Sequence, residues 1–196
     1  MKKSVTLLLY IVFIAGYLVC STVHFAYDRI TMPPQQSIGL ENFEVMDMKQ
    51  LDEKTFVSVS NDPYFSLIDG DMFEIHTVKY TLAQPVGGAK GLYYTTKKQP
   101  MYSGKNMIIA KDDGSGTVEY ILPMGENRRV RLDICGELAQ TITVEEIVIN
   151  YRPAFTDYFR ITAMGFVKFM VLPPFIASII LFIRDLFLHY VKKQDA

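Results

Sequence analysis

Hydrophobic residues follow three different patterns along the chain. From Val5 to about Val23 nearly every residue is apolar and none is charged. A bilayer core about 30 Å thick is crossed by roughly 20 such residues as a helix, so this run predicts a first membrane span over 5–26. A second apolar run, Phe169 to Ile183, is also uncharged but short. Extended to 164–188 it reaches spanning length, takes in Lys168 and ends beyond Arg184 and Asp185. Lys168 then has to carry its ammonium group toward the interface along its own aliphatic stem. Pro173 and Pro174 remove two backbone donors and predict a kink in this span. A half-inserted hairpin is the other way to place it.

Between the two runs the period falls to two. "FVSVS" sets Val57 and Val59 on one face, and "TVKYTL" does the same with Val78, Tyr80 and Leu82. Phe73 and Ile75 alternate in the opposite phase, which predicts a bulge near His76 and Thr77. "GLYYTTK", "NMIIAK", "TVEYILP", "RRVRLDIC" and "ITVEEIVINY" continue the pattern, separated by Gly, Asp, Asn and Ser clusters. In the last of these, strict alternation after Ile142 and Val144 would turn Glu146 inward. An unpaired buried charge is costly, so a bulge at Glu145 and Glu146 is expected, with Ile147, Ile149 and Tyr151 resuming the inward row. Seven or eight short strands at this spacing predict an all-β sandwich or barrel. The expected organisation is a cytoplasmic N-terminus (1–4), the first span, a linker (27–40), a β-sandwich (41–151), a juxtamembrane segment (152–163), the second span and a cytoplasmic tail (189–196).

Flanking charge gives the orientation. Lys2 and Lys3 precede the first span, while Arg184, Lys192 and Lys193 follow or end the second. Positive residues favour the cytoplasmic side, which places both termini inside and the sandwich outside a cell membrane. Tyr27, Phe155, Tyr158 and Phe159 suit the outer interface. Two alternatives for the first run are a cleaved signal peptide, for which the apolar stretch is long, and a lipoprotein site at Cys20, which Val19 disfavours.

Composition excludes several classes. A net charge of -1 over 196 residues, with no Lys/Arg-rich run, argues against nucleic acid as a partner. Cys20 lies in the first span and Cys135 in the sandwich, so an internal disulfide is not expected. His76 is the one histidine of the sandwich, and a structural or exposed role is expected for it. No nucleophile–base motif or Gly-rich phosphate loop is present. Neighbouring carboxylates in hairpin turns make a poor glycosidase pair. The chain is therefore expected not to be an enzyme, and no cofactor is expected.

The candidate ligand-binding residues are Tyr93 and Tyr94, of which alternation puts one inside and one outside, and Arg129 and Arg131, which share a face with Asp133. The two arginines are expected to pair with Glu145 or Glu146 on the next strand, or to meet an anionic glycan or lipid headgroup. Asp69 and Asp71, around Gly70, are a candidate fragment of a calcium site. A plain turn is the expected reading of this stretch, with calcium the alternative.

"VRLDICGELAQTITVEEIVIN" resembles the C-terminal strands of galactose-binding-like jelly rolls of the carbohydrate-binding-module type. "SVSNDPYFSL" is similar to an early strand of versions attached to bacterial membrane glycosyltransferases of surface polysaccharide assembly. The resemblance covers roughly Glu41 to Tyr151 and implies a sandwich that often carries a structural calcium. This chain lacks a transferase domain. What the resemblance implies is a non-enzymatic accessory or scaffold, assisting a larger membrane protein in glycan assembly. Ala15, Gly16 and Cys20 would admit close approach by such a partner. The alternatives are direct binding of a surface glycan by the sandwich and, further off, a membrane-bound hydrolase or transferase.

Overall fold

The computed structural model describes residues 2–68, 74–88, 90–112, 114–161 and 163–194. Its contacts divide into two units, one made of Met1–Phe25 and Phe155–Ala196, the other of Ala26–Ala154.

The first unit is built from two helices, α1 (Lys2–Thr31, whose last turn falls in the second unit) and α2 (Ala163–Gln194). Both are long and apolar enough to cross a membrane, with windows at Ser4–Thr31 and Gly165–Tyr190. Of an 18-residue apolar stretch in each, only 6% and 11% is buried, unlike the core helix of a soluble domain. Aromatic side chains join the two helices: Phe169 meets Phe13 and Tyr17 edge-on, with centroids 6.3 and 5.5 Å apart. Pro173 and Pro174 lie inside α2. Pro174 has no N–H for the Met170 carbonyl, and the Tyr10 hydroxyl donates to that oxygen instead, at 2.9 Å. The gap left by Pro174 is therefore filled by a donor from the neighbouring helix.

The second unit is a sandwich of two antiparallel sheets. Its strands are β1 (Gln36–Ser37), β2 (Phe43–Met46), β3 (Met48–Gln50), β4 (Thr55–Ser58), β5 (Tyr64–Leu67), β6 (Thr77–Leu82), β7 (Gly91–Thr96), β8 (Met107–Ile109), β9 (Lys111–Asp112), β10 (Thr117–Ile121), β11 (Asn127–Asp133) and β12 (Thr141–Ile149). One sheet has the order β3-β4-β12-β6-β10-β9, with β1 also on β12; the other runs β2-β5-β11-β7-β8. The inward rows interlock into one core. Phe65, Leu92, Val130 and Leu132 come from the five-stranded sheet, and Phe56, Tyr80, Tyr120, Ile142 and Ile147 from its partner. Fully burying a large apolar side chain contributes about 1.5–3 kcal/mol, which suits a sandwich whose one cysteine, Cys135, is free.

The bulge in β12 is present. Val144 pairs with Leu82 and Glu146 with Thr81, so Glu145 is the extra residue. Both glutamates are exposed, and Ile147 and Ile149 are buried. The bulge expected near His76 is absent, because β6 begins at Thr77 and residues 74–76 are not strand. Phe73 lies outside the described residues.

A second correction concerns β11 and β12, expected as neighbours joined by a turn. They belong to different sheets, so residues 134–140 cross from one layer to the other. Ser58 fixes this crossover: its hydroxyl donates to the Glu137 carbonyl (2.8 Å) and accepts from the Gln140 amide (2.9 Å).

Candidate functional site

Two cross-strand rows run over the outer face of the five-stranded sheet. Glu44, Ser66, Arg131, Tyr93 and Met107 are register partners across β2, β5, β11, β7 and β8. Met46, Tyr64, Asp133, Gly91 and Ile109 form the adjacent row. Their chain neighbours Phe65, Leu92 and Leu132 point into the core, so period-two geometry sends both rows outward.

Arg131 is the centre of this face. Its guanidinium carbon lies 3.8 Å from the ring centroid of Tyr64 and 5.1 Å from that of Tyr93. Nε donates to Asp133 Oδ1 at 2.7 Å, and Nη2 donates to both oxygens of Asp62 at 2.8 and 2.9 Å. Nη1 and Asp133 Oδ2 have no hydrogen-bond partner among the described residues. The Tyr102 hydroxyl lies 3.2 Å from Ser66 Oγ and flanks the rows. Met107 leans over Gly91, where an added Cβ would lie 3.8 Å from its sulfur.

The electrostatics follow from partial burial. Burial lifts the Asp133 carboxyl above its ordinary 3.8, and Arg131 pulls it part of the way back. Burial also disfavours the Arg131 cation, but bonds to Asp133 and Asp62 outweigh it and raise the pKa. Burial pushes the Tyr102 hydroxyl up against the opposing effects of Ser66, Arg129 and Arg131.

The four candidate residues separate. Arg131 and Tyr93 share the outer face. Tyr94 packs against the core, where burial raises its hydroxyl pKa. Arg129 is exposed on β11, and its amide donates to Thr95 Oγ1 at 3.2 Å. The expected pairing of the arginines with Glu145 or Glu146 is not possible between separate sheets, and Arg131 takes Asp62 and Asp133 instead. Asp69 and Asp71 lie outside the described residues. Among the described residues no group of three His, Cys, Asp or Glu side chains is arranged to hold a metal.

A second polar cluster lies around His76, which is buried rather than exposed. Nδ1 is 2.7 Å from Asp28 Oδ1, Nε2 is 3.4 Å from Glu74 Oε1, and the ring stacks on Tyr27 at 5.5 Å. Asn150 accepts from the His76 amide (2.8 Å) and donates to the Glu74 carbonyl (3.0 Å). These bonds hold the last turn of α1 and the end of β12 against residues 74–77.

No protein-family model and no curated protein matches the sequence. Solved structures similar to the chain include a low-affinity xylan-binding module, CBM86, from Roseburia intestinalis (12% identity, 60% of this chain and 95% of that one, TM-score 0.40). Others are the C-terminal CBM6 of a marine laminarinase from Zobellia galactanivorans (15%, 59% and 98%, 0.38) and a β-1,3-glucan-binding CBM6 from Bacillus halodurans (12%, 60% and 96%, 0.38). At these scores the likeness assigns no residue of this chain a role.

Proposed function

We propose that the chain is a carbohydrate-binding module held at a membrane by two helices, with the outer face of the five-stranded sheet as its glycan platform. The observation that carries this is Arg131 stacked on Tyr64 beside Tyr93, with Asp133 and Asp62 fixing the guanidinium in place. Sugar rings present C–H faces that stack on aromatic rings, and hydroxyls that both donate and accept. Tyr64 and Tyr93 offer the apolar surface. Arg131 Nη1 offers a donor, Asp133 Oδ2 an acceptor, and Tyr102 and Ser66 mixed groups at the margin.

Charge selects the class of glycan. Arg131 is already neutralised by two carboxylates. The platform therefore favours a neutral, hydroxyl-rich chain over an acidic one, in place of the anionic ligand expected from Arg129 and Arg131. Direct binding is preferred over an accessory role for a larger membrane protein because it rests on a built set of side chains. The low burial of the apolar helices supports insertion, and the flanking lysines and arginines support a sandwich outside the cell.

The test is calorimetric titration of the purified full chain with neutral oligosaccharides, including xylan and β-1,3-glucan fragments. Saturable binding is expected. Tyr64→Ala and Tyr93→Ala should each weaken it about tenfold or more, as for a central aromatic contact. Binding that survives both changes, or no saturable binding to any neutral glycan, refutes the proposal.

A further inference from the structure

The larger sheet of the sandwich is interrupted along one edge of β12. On one side β6 pairs with β12 from Val144 to Ile149. On the other, β4 pairs with Thr141–Thr143 and β1 with Val148–Ile149. β4 and β1 thus leave residues 144–147 between them without a strand partner on that edge. A cleft of about 690 Å³ opens at this gap, within the size range of ligand pockets. Ile38, Leu40 and Val45 line it, and each packs against the core while remaining only partly buried. Glu41, Glu53, Glu145 and Glu146 line it too, with Lys54 as the cation among them. Three contacts fix where these charges stand. The Glu41 carboxyl folds over Gly39, taking the space a Cβ would fill there. Glu146 Oε1 accepts from Ser37 Oγ at 3.2 Å, and Gly39 and Ser37 both belong to the lining. Lys54 Nζ donates to the Glu145 carbonyl at 3.4 Å, a backbone oxygen rather than a carboxylate. Among the described residues none of the four glutamates has a cationic partner. Four carboxylates against one ammonium give the lining a formal charge of about −3, and like charges held this close repel one another.

We propose that this cleft docks an exposed segment of a partner protein in which one large apolar side chain is flanked by lysines or arginines. The apolar side chain packs on Ile38, Leu40 and Val45, and the flanking cations face the glutamates. Charge complementarity selects this occupant. An acidic or uncharged segment would leave the carboxylates unpaired. A metal ion would leave the apolar surface uncovered, and among the described residues no group of three His, Cys, Asp or Glu side chains is arranged to hold one. The cleft draws on the inward residue Val45 of β2, whereas the glycan platform uses the outward row of that strand, so docking does not depend on the glycan reading.

The experiment is calorimetric titration of the full chain in mild detergent with the blocked peptide Lys-Lys-Phe-Lys-Lys. Versions with Ser in place of Phe and with Glu in place of every Lys serve as separate probes, as does spermidine. Saturable binding of the parent peptide is expected, weakened by added salt. The Ser version should bind about tenfold or more weakly, the loss of one buried aromatic side chain, and the Glu version should not bind. Glu145→Gln combined with Glu146→Gln should lower affinity about fourfold, about twofold for each exposed ion pair. Val45→Thr should lower it severalfold for the parent peptide and leave the Ser version unchanged. Glu126→Gln, on the turn before β11, should alter nothing. The peptide series uses only the wild-type chain, so the proposal stays open to refutation even where a variant melts early. Equal binding of the Ser version, displacement of the parent peptide by spermidine at equal concentration, absence of saturable binding, or indifference to the paired glutamate substitution would each overturn it.

Discussion

Replacing Arg131 by Gln removes the charge at the centre of the platform and keeps part of its stem. Arg131 is 19% exposed and Asp133 16%, whereas Asp62 is 65% exposed. The exposed Asp62 pair is worth about 0–1 kcal/mol. The shielded bond to Asp133 is worth about 1.5–3 kcal/mol, as for hydrogen bonds to charged groups. Stacking on Tyr64 adds about 0.5–1 kcal/mol. A loss of about 2–4 kcal/mol follows once overlap between these contributions is allowed for. For a domain of this size that lowers Tm by about 6–14 °C, which circular dichroism melting of the full chain in detergent would measure. Much of the loss is Asp133 left without its cation, so Arg131→Gln combined with Asp133→Asn should recover at least half of it.

The pH dependence carries a definite sign. In wild type the Asp133 pKa already stands above its ordinary value because of burial. Without Arg131 it rises further. A carboxyl whose folded pKa exceeds its unfolded one favours the folded state fully below the unfolded pKa, and this advantage is lost as pH rises through the folded value. The deficit of Arg131→Gln relative to wild type should therefore be smallest near pH 4 and widen toward pH 7. A deficit that is flat across this range, or a double variant no better than the single one, would refute the assignment of Arg131 and Asp133 as a shielded pair.

Two further changes probe other parts of the molecule. Tyr102 has a folded pKa above its ordinary 10.0, so its contribution is complete below pH 10 and is lost as pH rises through the folded value. Urea midpoints should fall more for wild type than for Tyr102→Phe above pH 10, and equal falls would contradict this. Tyr10→Phe leaves the Met170 carbonyl without its donor and should cost about 0.6 kcal/mol, the mean for hydrogen bonds between membrane helices, and no more than about 1.7 kcal/mol. Melting in detergent would show this, and the cost should shrink in a Pro174→Ala background, where a backbone N–H is restored.

The period-two rows made the sandwich legible, because a residue's side of a strand follows from alternation alone. The β12 bulge was legible for a related reason: Glu145 and Glu146 are adjacent, and a regular strand has to send one of them inward. The partition into sheets was not legible. Val130, Leu132 and Ile142 point inward whether residues 134–140 turn back within a layer or cross between layers. The usable signal lay in the connection itself. Ile134 and Cys135 are buried consecutively, which a simple hairpin end does not require, and Ala139 has a φ of 59°, a left-handed position that non-glycine residues seldom take.

The platform was legible in the same uneven way. Arg131 and Asp133 lie two apart on one strand, and Tyr93 and Tyr94 are adjacent, so their sides follow from alternation. Asp62 and Tyr64 reach Arg131 only through the register of β5 on β11, across a separation of 69 residues for Asp62. Local patterning fixes the side of a strand but not the neighbouring strand. For that reason patterning alone directs Arg129 and Arg131 to Glu145 and Glu146, the carboxylates on the strand that follows in sequence. Asp28 and His76 show the same limit, since a segment expected to be a linker supplies a buried carboxylate to a histidine 48 residues away. What the sequence conceals here is long-range pairing, and it is this pairing that fixes and neutralises Arg131 between two carboxylates and two tyrosine rings.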